Sequence, residues 1–87
     1  MSGRASLFSL EQHQITGQQI FNSRVFFGEL YVDLAKSYGK SATPVRLTEV
    51  IIDAIDRLRD SLNEVVCTEN PEREERELNR CYYSTGR

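Results

Sequence analysis

The sequence is poor in the residues that anchor many small proteins. It has no tryptophan, one methionine, one histidine, two prolines and two cysteines. One histidine and two distant cysteines do not supply the ligands of a zinc site, so we expect no metal. The N-terminus has no apolar block of the kind that forms a secretory signal, and we expect Cys67 and Cys81 to be free thiols in a reducing cytoplasm.

Long apolar runs and an excess of one charge are also missing. No run reaches the roughly 20 apolar residues that cross a bilayer, so we expect no membrane partner. The 87 residues include 11 basic and 13 acidic side chains, a net charge of −2, and no segment has the basic footprint of a nucleic-acid-binding surface.

Catalytic motifs are missing as well. There is no glycine-rich phosphate loop, GxSxG or HExxH motif. His13 has no marked nucleophile or orienting acid beside it, and we interpret it as a solvated or helix-capping residue. The sequence therefore predicts a protein that is not an enzyme and needs no cofactor.

What the chain does contain is helical periodicity, in three segments. Ser9 and Gln12 fit a capping box that begins a first helix, which Gly17 is expected to kink or fray and which ends near Gly39. A short polar link leads to Thr43-Pro44, a favourable helix start, and an amphipathic second helix follows. Asn70-Pro71 predicts the start of a third, polar helix over about 71–83.

These segments predict an all-α fold: a long antiparallel helical hairpin with a short polar C-terminal helix. We treat 1–87 as a single helical domain, with a flexible N-terminus at 1–8 and a flexible tail at 84–87. The third helix has few apolar positions, so it either packs by its C-terminal end or waits for a partner.

The first helix has more apolar circumference than one hairpin can cover. One seam, Ile20, Phe27 and Leu34, is expected to pack on the second helix at Ile51, Ile55, Leu58 and Leu62. A second seam predicts a homodimer in which two hairpins form a four-helix bundle. Its residues are Phe21, Val25, Gly28, Val32 and Ala35.

Four residues of the first helix are candidates for ligand or partner binding. Arg24 lies within the apolar arc on the same stripe as Tyr31 and Tyr38, and it needs a carboxylate, a carbonyl, water or a ligand. The stripe either binds an anion between helices or consists of packing residues, with Arg24 paired to an acid of the second helix. Phe26 falls near the polar side, where an exposed ring would mark a contact surface.

The third helix carries mixed charges. Arg73, Arg76 and Arg80 alternate with glutamates at spacings that allow ion pairs within the helix. The segment is either a solvated helix or an arm that docks on a charged partner surface.

Residues 43–58, TPVRLTEVIIDAIDRL, resemble the strand and first helix of ribbon-helix-helix repressors. The resemblance implies a Val-Arg-Leu strand that inserts Arg46 into the DNA major groove. The family pattern continues with a second amphipathic helix, whereas this chain continues with a polar one. The order of the helices is also similar to small biofilm-connector proteins of enteric bacteria, a similarity that assigns no residue a role.

Three functions follow as hypotheses. The first is a small cytoplasmic regulatory protein, an adaptor or inhibitor, that acts as a helical homodimer by binding another protein. The second is a sensor of a small ligand or anion that uses the Arg24 stripe. The third is the DNA-binding repressor implied by the ribbon-helix-helix resemblance.

Overall fold

The computed structural model describes residues 7–83, and this part of the chain folds into three packed α-helices without a strand. Helix α1 spans Leu10–Tyr38, α2 spans Thr43–Glu69 and α3 spans Glu75–Tyr83. The predicted all-α class is confirmed. The predicted flexibility of residues 1–6 and 84–87 concerns positions outside the described residues.

Both ends of α1 follow the local signals in the sequence. Ser9 accepts a hydrogen bond from the Gln12 backbone, and the Gln12 side chain accepts one from the Ser9 backbone, which completes the capping box. Gly39 adopts a φ of 91° and donates its N–H to the Ala35 carbonyl. The positive φ favours glycine, so the chain turns here without strain.

The expected kink at Gly17 is wrong. Helix α1 runs unbroken through this position, and Gly17 is buried against the backbone of α3. Glycine is there because two helices approach too closely for a side chain, and helix packing offsets its low helix propensity.

Three polar contacts define the alignment of the hairpin formed by α1 and α2. Near the loop, Tyr31 donates to Glu49, and in the middle Arg24 donates to Asp56. His13 contacts Glu69 at the far end. Partners earlier in α1 meet partners later in α2, which is the antiparallel arrangement that the short link predicted.

The face of α2 that packs on α1 differs from the expected one. Ile51 and Leu58 are exposed, so the prediction that they pack beneath Ile20, Phe27 and Leu34 is wrong. Ile55 and Leu62 are turned inward as expected, and the other inward residues are Val45, Thr48, Ile52, Arg59 and Val66. Two apolar seams lie side by side on α2, and in the rotation that the helix adopts Arg24 and Tyr31 of α1 reach acidic residues of α2.

The helical conformation at the start of α2 excludes the strand that the repressor resemblance implies. Residues 45–47 form the beginning of α2, where Val45 is fully buried. Their backbone hydrogen-bonding groups are engaged in the helix or its first turn, as in the bond from Val45 N–H to the Ala42 carbonyl. They therefore do not offer the edge of a strand.

Helix α3 begins at Glu75, later than predicted. The Asn70 side chain donates to the Val66 carbonyl, so it closes the end of α2 instead of opening the next helix. Of the two expectations for α3, packing by its C-terminal end is confirmed: Leu78, Cys81 and Tyr82 are buried against Val66.

The molecule is flat, with Cα extents of 49 × 35 × 15 Å. Helix α3 packs on one side of the hairpin, near Gly17 of α1 and near Asn63 and Cys67 of α2. We call this side the α3 face and the opposite side the open face. A molecule this thin has two broad faces and a small core, which gathers at the end that α3 covers.

Candidate functional site

The predicted dimer seam of α1, which we call the α1 seam, is exposed to solvent. Val25 and Val32 are 43% and 46% exposed, Phe21 is also exposed, and Gly28 and Ala35 are half-buried. An open groove of about 440 Å³ runs along it, bordered by Arg24, Val25, Gly28, Glu29, Val32 and Asp33. The groove is shallow, all of its bordering residues belong to α1, and its exposed surface is mostly apolar, as in many protein contact surfaces.

A second exposed seam lies on α2. Its members recur at alternating steps of four and three residues, the spacing of a coiled-coil seam. We call this set the outer α2 seam; it consists of Leu47, Ile51, Ala54, Leu58, Ser61 and Val65. Leu58 is 50% exposed and the neighbouring Val50 is 63% exposed.

The two seams lie on opposite faces of the hairpin. Phe21, at one end of the α1 seam, lines a cavity with Arg80 and Cys81 of α3, so this seam belongs to the α3 face. On α2, Asp60, Asn63 and Cys67 are among the residues that meet α3, and the outer α2 seam lies roughly half a turn away from these three. A flat partner that covers one seam therefore leaves the other exposed.

Arg24 is paired within the hairpin. Its Nε donates to the Asp56 carboxylate at 3.0 Å, and Arg59 approaches the same carboxylate at 3.5 Å. Pairing with an acid of the second helix was one of the two interpretations of Arg24, and it is confirmed. Arg24 therefore has a carboxylate partner, but two guanidinium groups share the single Asp56 carboxylate, so the cluster keeps a net positive charge. The anion-sensor hypothesis stays a prediction.

The rest of the Arg24 stripe does not form a common cavity. Tyr31 donates to Glu49, and this hydrogen bond raises the pKa of the Tyr31 hydroxyl above its ordinary value. Tyr38 is 68% exposed at the end of α1. Phe26 is exposed on the side of α1 away from the α1 seam, with its ring edge-on to Phe27.

The three arginines of the predicted docking arm are exposed. Arg73 forms an ion pair with Glu77 at 3.0 Å, which is the internal pairing expected of a solvated helix. Arg80 lies at the mouth of the cavity that Phe21 lines, so the arm continues from the α1 seam.

His13 is the residue that sequence reasoning misplaced. It is 1% exposed, not solvated, and its Nδ1 lies 2.6 Å from the Tyr82 hydroxyl. Its Nε2 lies 3.3 Å from Glu69, and since a carboxylate only accepts, Nε2 carries the proton and Nδ1 accepts from Tyr82. His13 lies on the same helical stripe as Gly17, Ile20 and Arg24, at successive steps of four, three and four residues. This spacing was the signal in the sequence that could have predicted its place on the inner face of α1.

The His13 cluster has no catalytic arrangement. The phenol of Tyr82 is buried, and burial foremost raises its pKa to about 12. Such a phenol is neither a nucleophile nor a ready proton donor near neutral pH. The cluster instead connects all three helices by hydrogen bonds through one buried ring.

The end of α3 is held by a second polar cluster. Tyr83 forms a hydrogen bond with Asp60, which raises the pKa of the Tyr83 hydroxyl, and the Arg59 guanidinium lies 5.1 Å from the centre of its ring. This contact is favourable because the positive guanidinium is attracted by the negative face of the aromatic ring. Through Arg59 and Asp56 this cluster extends to Arg24.

A metal-binding cluster and a membrane-spanning helix are both absent from residues 7–83. Among residues 7–83, no three histidine, cysteine or acidic side chains converge to hold a metal ion. No helix in this range has both the length and the apolar character to cross a bilayer. Cys67 and Cys81 are free thiols, and burial raises the pKa of each.

Comparisons with known proteins add no relative. No family model matches the chain, and searches of curated proteins and of solved structures find no match. The candidate function therefore rests on the surfaces described above.

Proposed function

We propose that this chain is a small cytoplasmic regulatory protein that acts by binding, as a helical homodimer with a second, different protein as its target. The observation that carries the proposal is the presence of exposed apolar seams on both faces of one flat hairpin. Contiguous apolar surface of this kind is typical of protein interaction sites. One seam serves the second copy and the other serves the target.

A binding role also fits how the charged groups are used. Arg24 forms an ion pair with Asp56, and Arg73 forms one with Glu77. Paired charges around an apolar seam orient a partner without the cost of burying a lone charge.

We assign the target to the α3 face. There Phe21, at one end of the α1 seam, lines a cavity together with Arg80, so an apolar and a cationic group lie close together. This combination fits an amphipathic helix that has an acidic residue beside its apolar face. The alternative from the sequence, in which the α1 seam forms the dimer, is an outcome of the same experiment.

The test uses one charge substitution on each face. Val32→Glu places a carboxylate in the α1 seam, and Leu58→Glu places one in the outer α2 seam, at positions of similar exposure. Tagged wild-type and variant chains are used to recover proteins from the native cell, and bound proteins are quantified. We expect a specific protein to be lost with Val32→Glu and retained with Leu58→Glu.

Two results would contradict the proposal. Recovery of the same proteins by all three chains means that the α1 seam contacts no target. A wild-type chain that sediments as a monomer at all micromolar concentrations removes the homodimer.

A further inference from the structure

We propose that the open face binds a second copy of this chain, with the outer α2 seam packed antiparallel against the same seam of the copy. The inference rests on the homodimer proposed above and specifies its interface and register. It moves the dimer contact from the α1 seam, where the sequence placed it, to the opposite face.

The first argument is the shape of the seam. In an antiparallel pair related by a two-fold axis, Leu58 lies opposite Ala54 of the second copy, and Ile51 lies opposite its Ser61. The outermost layer pairs Leu47 with Val65. Each large side chain in the centre therefore meets a small one, so the two surfaces interdigitate.

The parallel alternative lacks this complementarity. Each residue would then face its own copy, which places Ala54 on Ala54 and Ser61 on Ser61. Two layers of small side chains leave voids, and voids in a packed interface are destabilising. The order of large and small residues thus selects the antiparallel register.

The second argument is the charge of the open face. None of the six positions of the outer α2 seam is charged, and the adjoining stripe of α1 presents Gln19, Ser23, Phe26 and Leu30. The centres of protein interfaces are depleted in charged residues and enriched in aromatic ones, and Phe26 supplies an aromatic ring on this face. Arg57, a cation beside this seam, forms an ion pair with Asp53 at 3.0 Å, so the two side chains together bring no net charge toward the second copy.

The third argument is size. From Leu47 to Val65 the seam is about 27 Å long, and two packed helices are about 20 Å wide. A face of these dimensions measures roughly 540 Å² on each copy, so the pair together clears the roughly 1,000 Å² expected of a specific interface. Two hairpins joined in this way form a four-helix core in which both copies present the α3 face outward.

The first experiment compares oligomeric states by sedimentation velocity at 1 to 100 µM, a span chosen as about two decades around a micromolar Kd. We expect the wild-type chain and Val32→Glu to be dimers, and Leu58→Glu to be a monomer with unchanged helical circular dichroism. A dimeric Leu58→Glu with a monomeric Val32→Glu would overturn the proposal in favour of the α1 seam. A monomeric wild type would instead refute the homodimer itself.

The second experiment tests the register and does not depend on how a charge is tolerated. Chains carrying Ala54→Cys and chains carrying Leu58→Cys are mixed and oxidised, then separated without reductant. We expect a covalent dimer in the mixture at several times the yield of either variant alone, because the two thiols meet only between copies. The wild-type chain, which keeps Cys67 and Cys81, is the control. Equal yields in all samples would overturn the antiparallel register.

Discussion

The backbone carbonyl of Cys81 occupies the space that a Cβ atom at Gly17 would fill. Helix α3 therefore lies directly on the backbone of α1, and the missing side chain is what permits the contact. His13, one turn earlier, shares a hydrogen bond with Tyr82, the residue after Cys81. Close backbone approach and a buried hydrogen bond together attach a short polar helix that has little apolar surface of its own.

Gly17→Ala is predicted to destabilise the protein, because the new methyl group must displace the α3 backbone. We expect the free energy of unfolding to fall by about 1–3 kcal/mol, the usual cost of overpacking. Gly28→Ala is the matched control, since its Cβ meets only the Arg24 guanidinium at 3.5 Å. There alanine is expected to stabilise α1 by about 0.5–1 kcal/mol. Urea unfolding followed by circular dichroism measures both, and equal effects would contradict the close crossing.

Stability is predicted to fall at alkaline pH because of Tyr82. Its pKa is about 12 in the folded protein against 10 for an ordinary tyrosine, so the folded state holds this proton more tightly than the unfolded state. The free energy of unfolding is thus independent of this group below pH 10 and declines between pH 10 and 12. The slope is at most about 1.4 kcal/mol per pH unit.

Tyr82→Phe removes that contribution, and it also lowers stability below pH 10, because the His13 ring loses its partner. Tyr38→Phe, at an exposed position, is the control and is expected to keep the slope of the wild type. Urea unfolding at a series of pH values measures the slopes. An unchanged slope in Tyr82→Phe would assign the alkaline loss to other groups.

The ion pair between Arg24 and Asp56 is predicted to contribute little to stability. Both side chains are more than one-third exposed, so solvent screens their attraction. A double-mutant cycle with Arg24→Ala and Asp56→Ala should give a coupling of about 0.2–1 kcal/mol that shrinks as salt is raised. A coupling well above that range, unaffected by salt, would mean that the pair is shielded from water.

Val66→Ala is predicted to weaken the core where α3 packs. Val66 is fully buried against Leu78 and Tyr82, and its truncation should cost about 1–3 kcal/mol through lost burial and an unfilled space. Val50→Ala removes the same atoms from an exposed position of α2 and should change stability by less than about 0.5 kcal/mol. If the two substitutions cost the same, as measured by thermal unfolding, the core lies elsewhere.

Local signals sufficed for much of the fold. The capping box at Ser9 and Gln12, the glycine at 39 and the proline after Thr43 predicted helix ends to within a residue or two, because caps and turns depend on a few adjacent residues. The antiparallel hairpin followed from its short link. The few apolar residues of α3 left two alternatives, packing by the C-terminal end or waiting for a partner, and the first is confirmed.

The rotation of α2 and the position of His13 were beyond such reasoning. Two adjacent seams on α2 are nearly equal in apolar character, so periodicity alone favours neither. The choice depends on packing against residues far away in the chain, on α1 and α3, which no pattern within α2 contains. The spacing of His13 is compatible with the buried stripe of α1. Burial of its polar ring is favourable only because the ring forms hydrogen bonds with Tyr82 and Glu69.

By itself, then, the sequence determined that the chain is helical, where α1 begins and ends and where α2 begins, and that its apolar surface exceeds what one hairpin covers. These properties arise from interactions within a few turns of the chain. Only the tertiary structure decided which seam is buried, which faces stay exposed and why Gly17 is glycine. Those outcomes depend on contacts between residues as far apart as His13 and Tyr82, whose proximity no local pattern encodes.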